Sequence, residues 1–218
     1  MHIPDGFLDP VTATVTYVIF IAFAIYAFKK AKAALSPERL SLTSVLAAAI
    51  FAAQLLNWPI PGGTSLHFVG GALAGIIVGP WLGFVAMFLV LLIQCLVFHD
   101  GGITALGANC LNMAIIDVLV GCLFYYYMTR LFGDKPSVKV AAAFLGGWLG
   151  ITLAGLACGL EIGYSLAFPY GVAVTVPIMT GWHAALGVIE GVITALVVGY
   201  LSRKAPTLIW FGGGGGGR

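Results

Sequence analysis

Hydrophobic positions along this chain run in long blocks, without the strict alternation of strands and without a sustained polar face on the helical period. The blocks cover residues 11–28, 42–56, 66–78, 81–98, 104–131, 138–160 and 182–201. A helix needs roughly 20 apolar residues to cross a bilayer, and fewer suffice for one tucked inside a bundle. Blocks of this length are too long for strands and read as helices. The pattern therefore predicts an all-α integral membrane protein with seven transmembrane helices. The breaks are explicit. Lys29, Lys30 and Lys32 end the first block, and Pro37 opens the second. Pro59 to Thr64 is a Pro/Gly loop, Gly79-Pro80 turns the short third block, and His99-Asp100-Gly101-Gly102 closes the fourth. Gly133 to Pro136 forms the next break, and Pro169, Gly171 and Pro177 punctuate a long last connection.

Composition agrees with a lipid-solvated chain: 61% hydrophobic and 8% charged residues, against about 25% charge in a soluble domain. No polar linker separates two cores, so residues 1–204 form one membrane-embedded domain, with residues 1–10 as an N-terminal chelating segment. Residues 205–218 are a tail whose glycine run reads as a cloning remnant. The opening residues do not resemble a signal peptide. With the N-terminus outside, every loop rich in Lys or Arg falls inside, and the C-terminus is cytoplasmic. A formal net charge of +2 gives no reason to expect nucleic acid. Cys95, Cys110, Cys122 and Cys158 lie in apolar runs without CxxC spacing and read as small core residues.

The chemistry concentrates in Met1-His2-Ile3-Pro4-Asp5-Gly6-Phe7-Leu8. A bulky His2 disfavours removal of the initiator methionine. Met1 then offers an amine, and His2 offers an amide and an imidazole. Amine and amide close a five-membered chelate ring, and amide with Nδ1 closes a six-membered one. Three nitrogens in one plane with an open corner suit Ni(II) or Cu(II), ions that favour tetragonal nitrogen donation. On the predicted topology His2, His67, His99 and His183 fall near the outer ends of their helices. His67 follows a glycine-rich outer loop, so it can fill the open corner. The free segment is mobile, and metal would act as a clasp that orders it.

Other polar residues allow two readings. His99 or Asp100 could orient a ligand through a hydrogen bond, or Asp100 and Thr104 could be helix-capping and turn residues. Asn109 and Asn112 share a helix face suited to bonds across helices or back to the loop. Asp117 and Glu190 are acids within spans, functional or paired structurally, and Glu161 near an outer helix end could attract cations. Ala48/Ala52 and Ala49/Ala53 are small-residue pairs that fit either packing inside the bundle or a partner subunit. No phosphate-binding loop, zinc pair or nucleophile elbow is present, so neither ATP hydrolysis nor an enzyme activity is expected.

The N-terminal octapeptide, Leu66-His67-Phe68-Val69-Gly70-Gly71 and Asp100-Gly101-Gly102-Ile103-Thr104-Ala105-Leu106-Gly107-Ala108-Asn109 together resemble the CbiM/NikM family. These are nickel/cobalt substrate-binding membrane components of energy-coupling factor transporters. The resemblance implies a seven-helix protein in which Met1, His2 and His67 hold the metal in a plane. It implies as partners a transmembrane coupling subunit, two ATP-binding subunits and often a small accessory membrane protein. It also implies a prokaryotic plasma-membrane location. Planar nitrogens favour Ni(II) over Co(II) as substrate, and Cu(II) would bind such a set in vitro. The alternative is a secondary transporter or channel that moves cations alone.

Overall fold

The computed structural model describes residues 1–210; the glycine run lies outside them. The chain folds into α1 (Pro10–Ala34), α2 (Pro37–Gln54), a two-strand hairpin of β1 (Trp58–Pro59) and β2 (Ser65–Leu66), and α3 (Gly71–Val78). There follow α4 (Pro80–Ile93), prolonged by a π-helical turn over Gln94–Phe98, and α5 (Leu106–Asn109), which runs through a π segment at Cys110–Ile116 into α6 (Asp117–Phe132). Two long antiparallel helices, α7 (Pro136–Tyr164) and α8 (Val172–Lys204), complete the bundle. Five stretches are long and apolar enough to cross a membrane: Pro10–Ala34, Pro80–Phe98, Leu106–Phe132, Pro136–Tyr164 and Val172–Lys204.

Helix starts follow local chemistry. Asp9 accepts from the Val11 and Thr12 amides ahead of α1, and Ser36 accepts from Arg39 ahead of α2. Each helix has proline at its first position, where a missing N–H costs nothing. Two boundaries differ from the sequence expectation. The helix α1 runs on to Ala34 past Lys29, Lys30 and Lys32, because lysine ends a lipid-soluble run without disfavouring helix. The last helix begins at Val172, well before Trp182, and carries Pro177 inside it. Packing along α7 overrides the breaker: Thr175 Oγ1 donates to the Gly159 carbonyl at 2.6 Å.

The short α3 is buried on every face, wedged between α4, α6 and α7. Its fit depends on Gly121 of α6, where an added Cβ would lie 2.3 Å from the Ala72 Cβ. The second span is different. Its inward stripe is Thr43, Leu46, Ile50 and Gln54, while Ala48, Ala49 and Ala52 are exposed. Packing inside the bundle is therefore not what these alanines do. All four cysteines are free and buried. Arg39 at the start of α2 sits 4.5 Å from the Trp210 ring, which joins the end of α8 to the α1–α2 turn.

Candidate metal centre

The first residues of the chain are part of the core. Met1 and Ile3 are fully buried and Leu8 nearly so. Asn109 grips Ile3 on both sides: its Oδ1 accepts the Ile3 amide at 2.8 Å, and its Nδ2 donates to the Ile3 carbonyl at 3.1 Å. The Gly102 amide adds a second bond to that carbonyl. Further out, Asp5 Oδ1 accepts from both the amide and the hydroxyl of Thr104. The segment is thus tied to the His99–Asn109 loop by hydrogen bonds of the protein itself, where the sequence reading gave that clasp role to the ion.

This anchoring delivers three nitrogens to one place. The Met1 amine donates to the carbonyl oxygen of Ser65 and, at 2.7 Å, to Ser65 Oγ. Ser65 Oγ also accepts the His2 amide at 3.0 Å. Burial pushes the amine down to about 5 and His2 to about 4, the latter helped by the neighbouring terminal amine. Both are neutral near pH 7. A neutral amine has two N–H bonds, and Ser65 occupies both, so its lone pair stays free.

The imidazoles are prepared in the same way. His2 Nε2 lies 3.1 Å from Gln94 Oε1. With the Gln94 amide in this orientation the proton belongs on Nε2, and Nδ1 is the acceptor. His67 Nδ1 donates to the Phe68 carbonyl at 2.7 Å, which leaves Nε2 bare. His2 Nδ1 and His67 Nε2 are both buried without a hydrogen-bond partner. The two rings face each other with centroids 4.4 Å apart and planes inclined by 23°. Asp100 Oδ1 stands 3.4 Å from His2 Nδ1. Burial lowers the His2 pKa and the Asp100 carboxylate opposes that shift. Asn57 holds that carboxylate from behind through Nδ2 at 3.1 Å. A cavity of about 390 Å³, lined in part by His2, Asn57, Ser65 and Asp100, opens from this point past His99.

Of the sequence candidates, His2 and His67 stand ring to ring, and the Met1 amine shares Ser65 Oγ with the His2 amide. His99 is exposed, in the left-handed region at φ 55°, and stays at the cavity rim. His183 is buried on α8, with Nδ1 donating to the Met179 carbonyl one turn back at 2.7 Å. Asp100 does orient toward His2, and Thr104 binds Asp5 instead of capping a helix. Asn109 reaches back to the loop segment and Asn112 crosses to Glu161 at 2.6 Å. Ser65, Gln94 and Asp5 escaped the sequence reading. Asp5 and Gln94 carried a weak signal: one is a charge in the specific N-terminal motif, the other a lone amide in an apolar helix. Ser65 carried none. Among the described residues no three His, Cys, Asp or Glu side chains form a metal-holding group; the donor set exists only when backbone nitrogens are counted.

Comparison with known proteins places this arrangement. The chain is 54% identical over 209 residues to a protein of Archaeoglobus fulgidus provisionally named fused nickel transport protein NikMN, covering 96% of this chain and 68% of the relative. It is 30% identical to the cobalt transport protein CbiM of Clostridium tetani, covering 98% of this chain and 89% of that one. A crystal structure described as a truncated transition metal transporter superposes with a TM-score of 0.88 at 38% identity, over 94% of this chain and 99% of that one. Residues 2–208 match the family described as the cobalt uptake substrate-specific transmembrane region, and the chain belongs to that family, CbiM.

Proposed function

We propose that the chain is the substrate-specific membrane subunit of an energy-coupling factor transporter, and that it captures Ni(II), with Co(II) as a second substrate. The donors are the Met1 amine, the His2 amide and Nδ1, and His67 Nε2. The observation that carries this reading is the buried set of prepared nitrogens: an amine with both N–H bonds used, and two imidazoles whose protons are fixed on the nitrogens facing away. Outer partners that fix a tautomer are the usual company of metal-bound histidine. Imidazoles on adjacent corners of a plane, with metal–nitrogen bonds of about 2 Å, have ring centres roughly 4.4 Å apart. The His2 and His67 ring centroids are at that separation. A cation at His2 Nδ1 would also face the Asp100 carboxylate, 3.4 Å from that nitrogen.

Seven helices, an outward N-terminus and a cytoplasmic C-terminus complete the proposal: α2 crosses with the five longer stretches, the short buried α3 is the seventh helix inside the bundle, and the metal cavity faces outside. The relatives' names as transport proteins, together with the missing phosphate loop, support uptake driven by ATP hydrolysis in partners. Those partners are a transmembrane coupling subunit, two ATP-binding subunits and a small accessory subunit, in the plasma membrane of a prokaryote. Vesicles carrying the chain alone should bind nickel and not accumulate it. Accumulation without an ATPase, driven by an ion gradient, would establish the secondary-transporter reading instead.

Two solution properties follow from the donor set. The Ni(II) complex should be low-spin, diamagnetic and yellow, because a deprotonated amide beside imidazole gives a strong planar field. A paramagnetic six-coordinate complex would exclude the planar site. The pH dependence has a specific slope. Folded-state values of about 5 for the amine and about 4 for His2 lie below the ordinary values, so both lone pairs are free well below neutrality and are lost only as pH falls through 5. From about pH 6.5 to 8, only the amide proton is then released, and log affinity should rise by about one unit per pH unit. A free peptide of the same first residues, with its amine still protonated, should show a slope of about two. A slope of two in the whole protein would mean that the amine is charged in place.

A further inference from the structure

Glu190 is an acid buried in the membrane-spanning α8, and nothing in the metal centre touches it. Its two oxygens are nevertheless fully committed. Glu190 Oε2 accepts the Val69 amide at 2.8 Å and Oε1 accepts the Gly70 amide at 2.8 Å. These are the amides two and three residues after His67, at the entrance of α3. The rest of that loop is held with equal care. Gln54 Nε2 of α2 donates to the Val69 carbonyl at 2.6 Å, and Asp117 Oδ2 of α6 accepts the Ala72 amide at 3.3 Å. Gly70 turns through φ 81°, and a Cβ there would meet the Phe68 ring at 2.8 Å. The backbone that carries His67, and the Phe68 carbonyl that fixes its proton, therefore hangs from three helices.

We infer that Glu190 is a positioning residue for the fourth metal donor: its carboxylate fastens the His67–Gly70 turn to α8 and so aims His67 Nε2 at the ion. This deepens the proposed function and rests on it. A carboxylate suits the task because two N–H groups side by side need two acceptors. Glutamine, nearly the same in volume, offers one acceptor and sets its own NH₂ against the other amide. A bundle that merely required a buried polar group at this place would accept it. The N-terminal end of α3 favours negative charge, and Asp117 takes its Ala72 amide while Glu190 takes the two amides just ahead of it.

The test compares wild type, E190Q, H67A and, as a control for disturbance of α8, T194V. Thr194 is buried one turn further along the same helix. Each is purified without metal, its melting temperature is measured, and it is titrated with NiCl₂ while the visible ligand-field band is recorded. E190Q should bind nickel about 10–100-fold more weakly, as loss of an outer-sphere partner does. Its band should move toward that of H67A, while its metal-free melting temperature stays close to that of T194V. A wild-type band and affinity in E190Q overturn the inference. So does a weakened E190Q that keeps the wild-type band and melts far below T194V, since that is loss of fold alone. If H67A itself binds and absorbs as wild type, the proposed donor set fails and the inference falls with it. A shifted H67A beside an unshifted E190Q sinks only the positioning role. Should E190Q not fold, E190D keeps two acceptors one methylene short, and its band must lie between wild type and H67A.

Discussion

Adding two residues ahead of Met1 is expected to abolish high-affinity nickel binding while the metal-free bundle stays folded; a single extra residue would set the histidine third, where amine, two amides and imidazole complete the plane by themselves. The five-membered ring needs a primary amine on the residue before the His2 amide. An extension turns that amine into a peptide nitrogen and moves the new amine out of reach. The structure adds a second reason. The nitrogen is enclosed, with Met1 fully buried and both N–H bonds on Ser65, so added residues must push Met1 and Ile3 out of the core. The loss should exceed the roughly 100-fold typical of removing an outer-sphere partner, because a donor and its chelate ring both go. Calorimetric titration of the extended and authentic proteins measures this, and the melting temperature of the metal-free forms shows that the bundle survives. Undiminished nickel affinity would remove the amine from the site.

His67→Ala should have an effect of similar size by a different route. His67 is fully buried, and its Nε2 has no partner in the protein. Its removal takes away the fourth donor and the ring that stacks on His2. The metal-free fold should lose about 0.5–3 kcal/mol, the ordinary range for such a truncation. Nickel affinity should fall by more than about 100-fold, beyond the outer-sphere range. The N-terminal segment should not come loose, because Asn109, Gly102 and Thr104 hold it irrespective of the ion. Hydrogen exchange over the first ten residues checks this. His99→Ala and His183→Ala should change affinity much less: one ring is exposed at the rim, and the other bonds within its own helix. If His67→Ala binds as wild type and either of these does not, a different histidine supplies the fourth donor.

What the sequence determined by itself was local. Long apolar blocks ended by Pro, Gly and charge specify helices, because a chain in lipid must satisfy its backbone internally. The order Met1-His2 offers an amine, an amide and an imidazole at ring sizes that covalent geometry sets. Both are properties of neighbours in the chain, so they could be read before any folding. The sequence misjudged places where packing outweighed local preference. Pro177 lies inside α8 because the long face against α7 fixes that turn. For the alanine pairs of α2 the sequence had left packing and a partner both open, and Ala48, Ala49 and Ala52 lie off the buried stripe of Ile50 and Gln54. Only the tertiary structure decided what holds the terminus, since its bonds run to Ser65, Gln94, Gly102, Thr104 and Asn109, as many as 106 residues away. It likewise decided which acid of the membrane helices serves His67. Glu190 follows it by more than a hundred positions, and a carboxylate finds two amides at that distance only where α8 passes the entrance of α3.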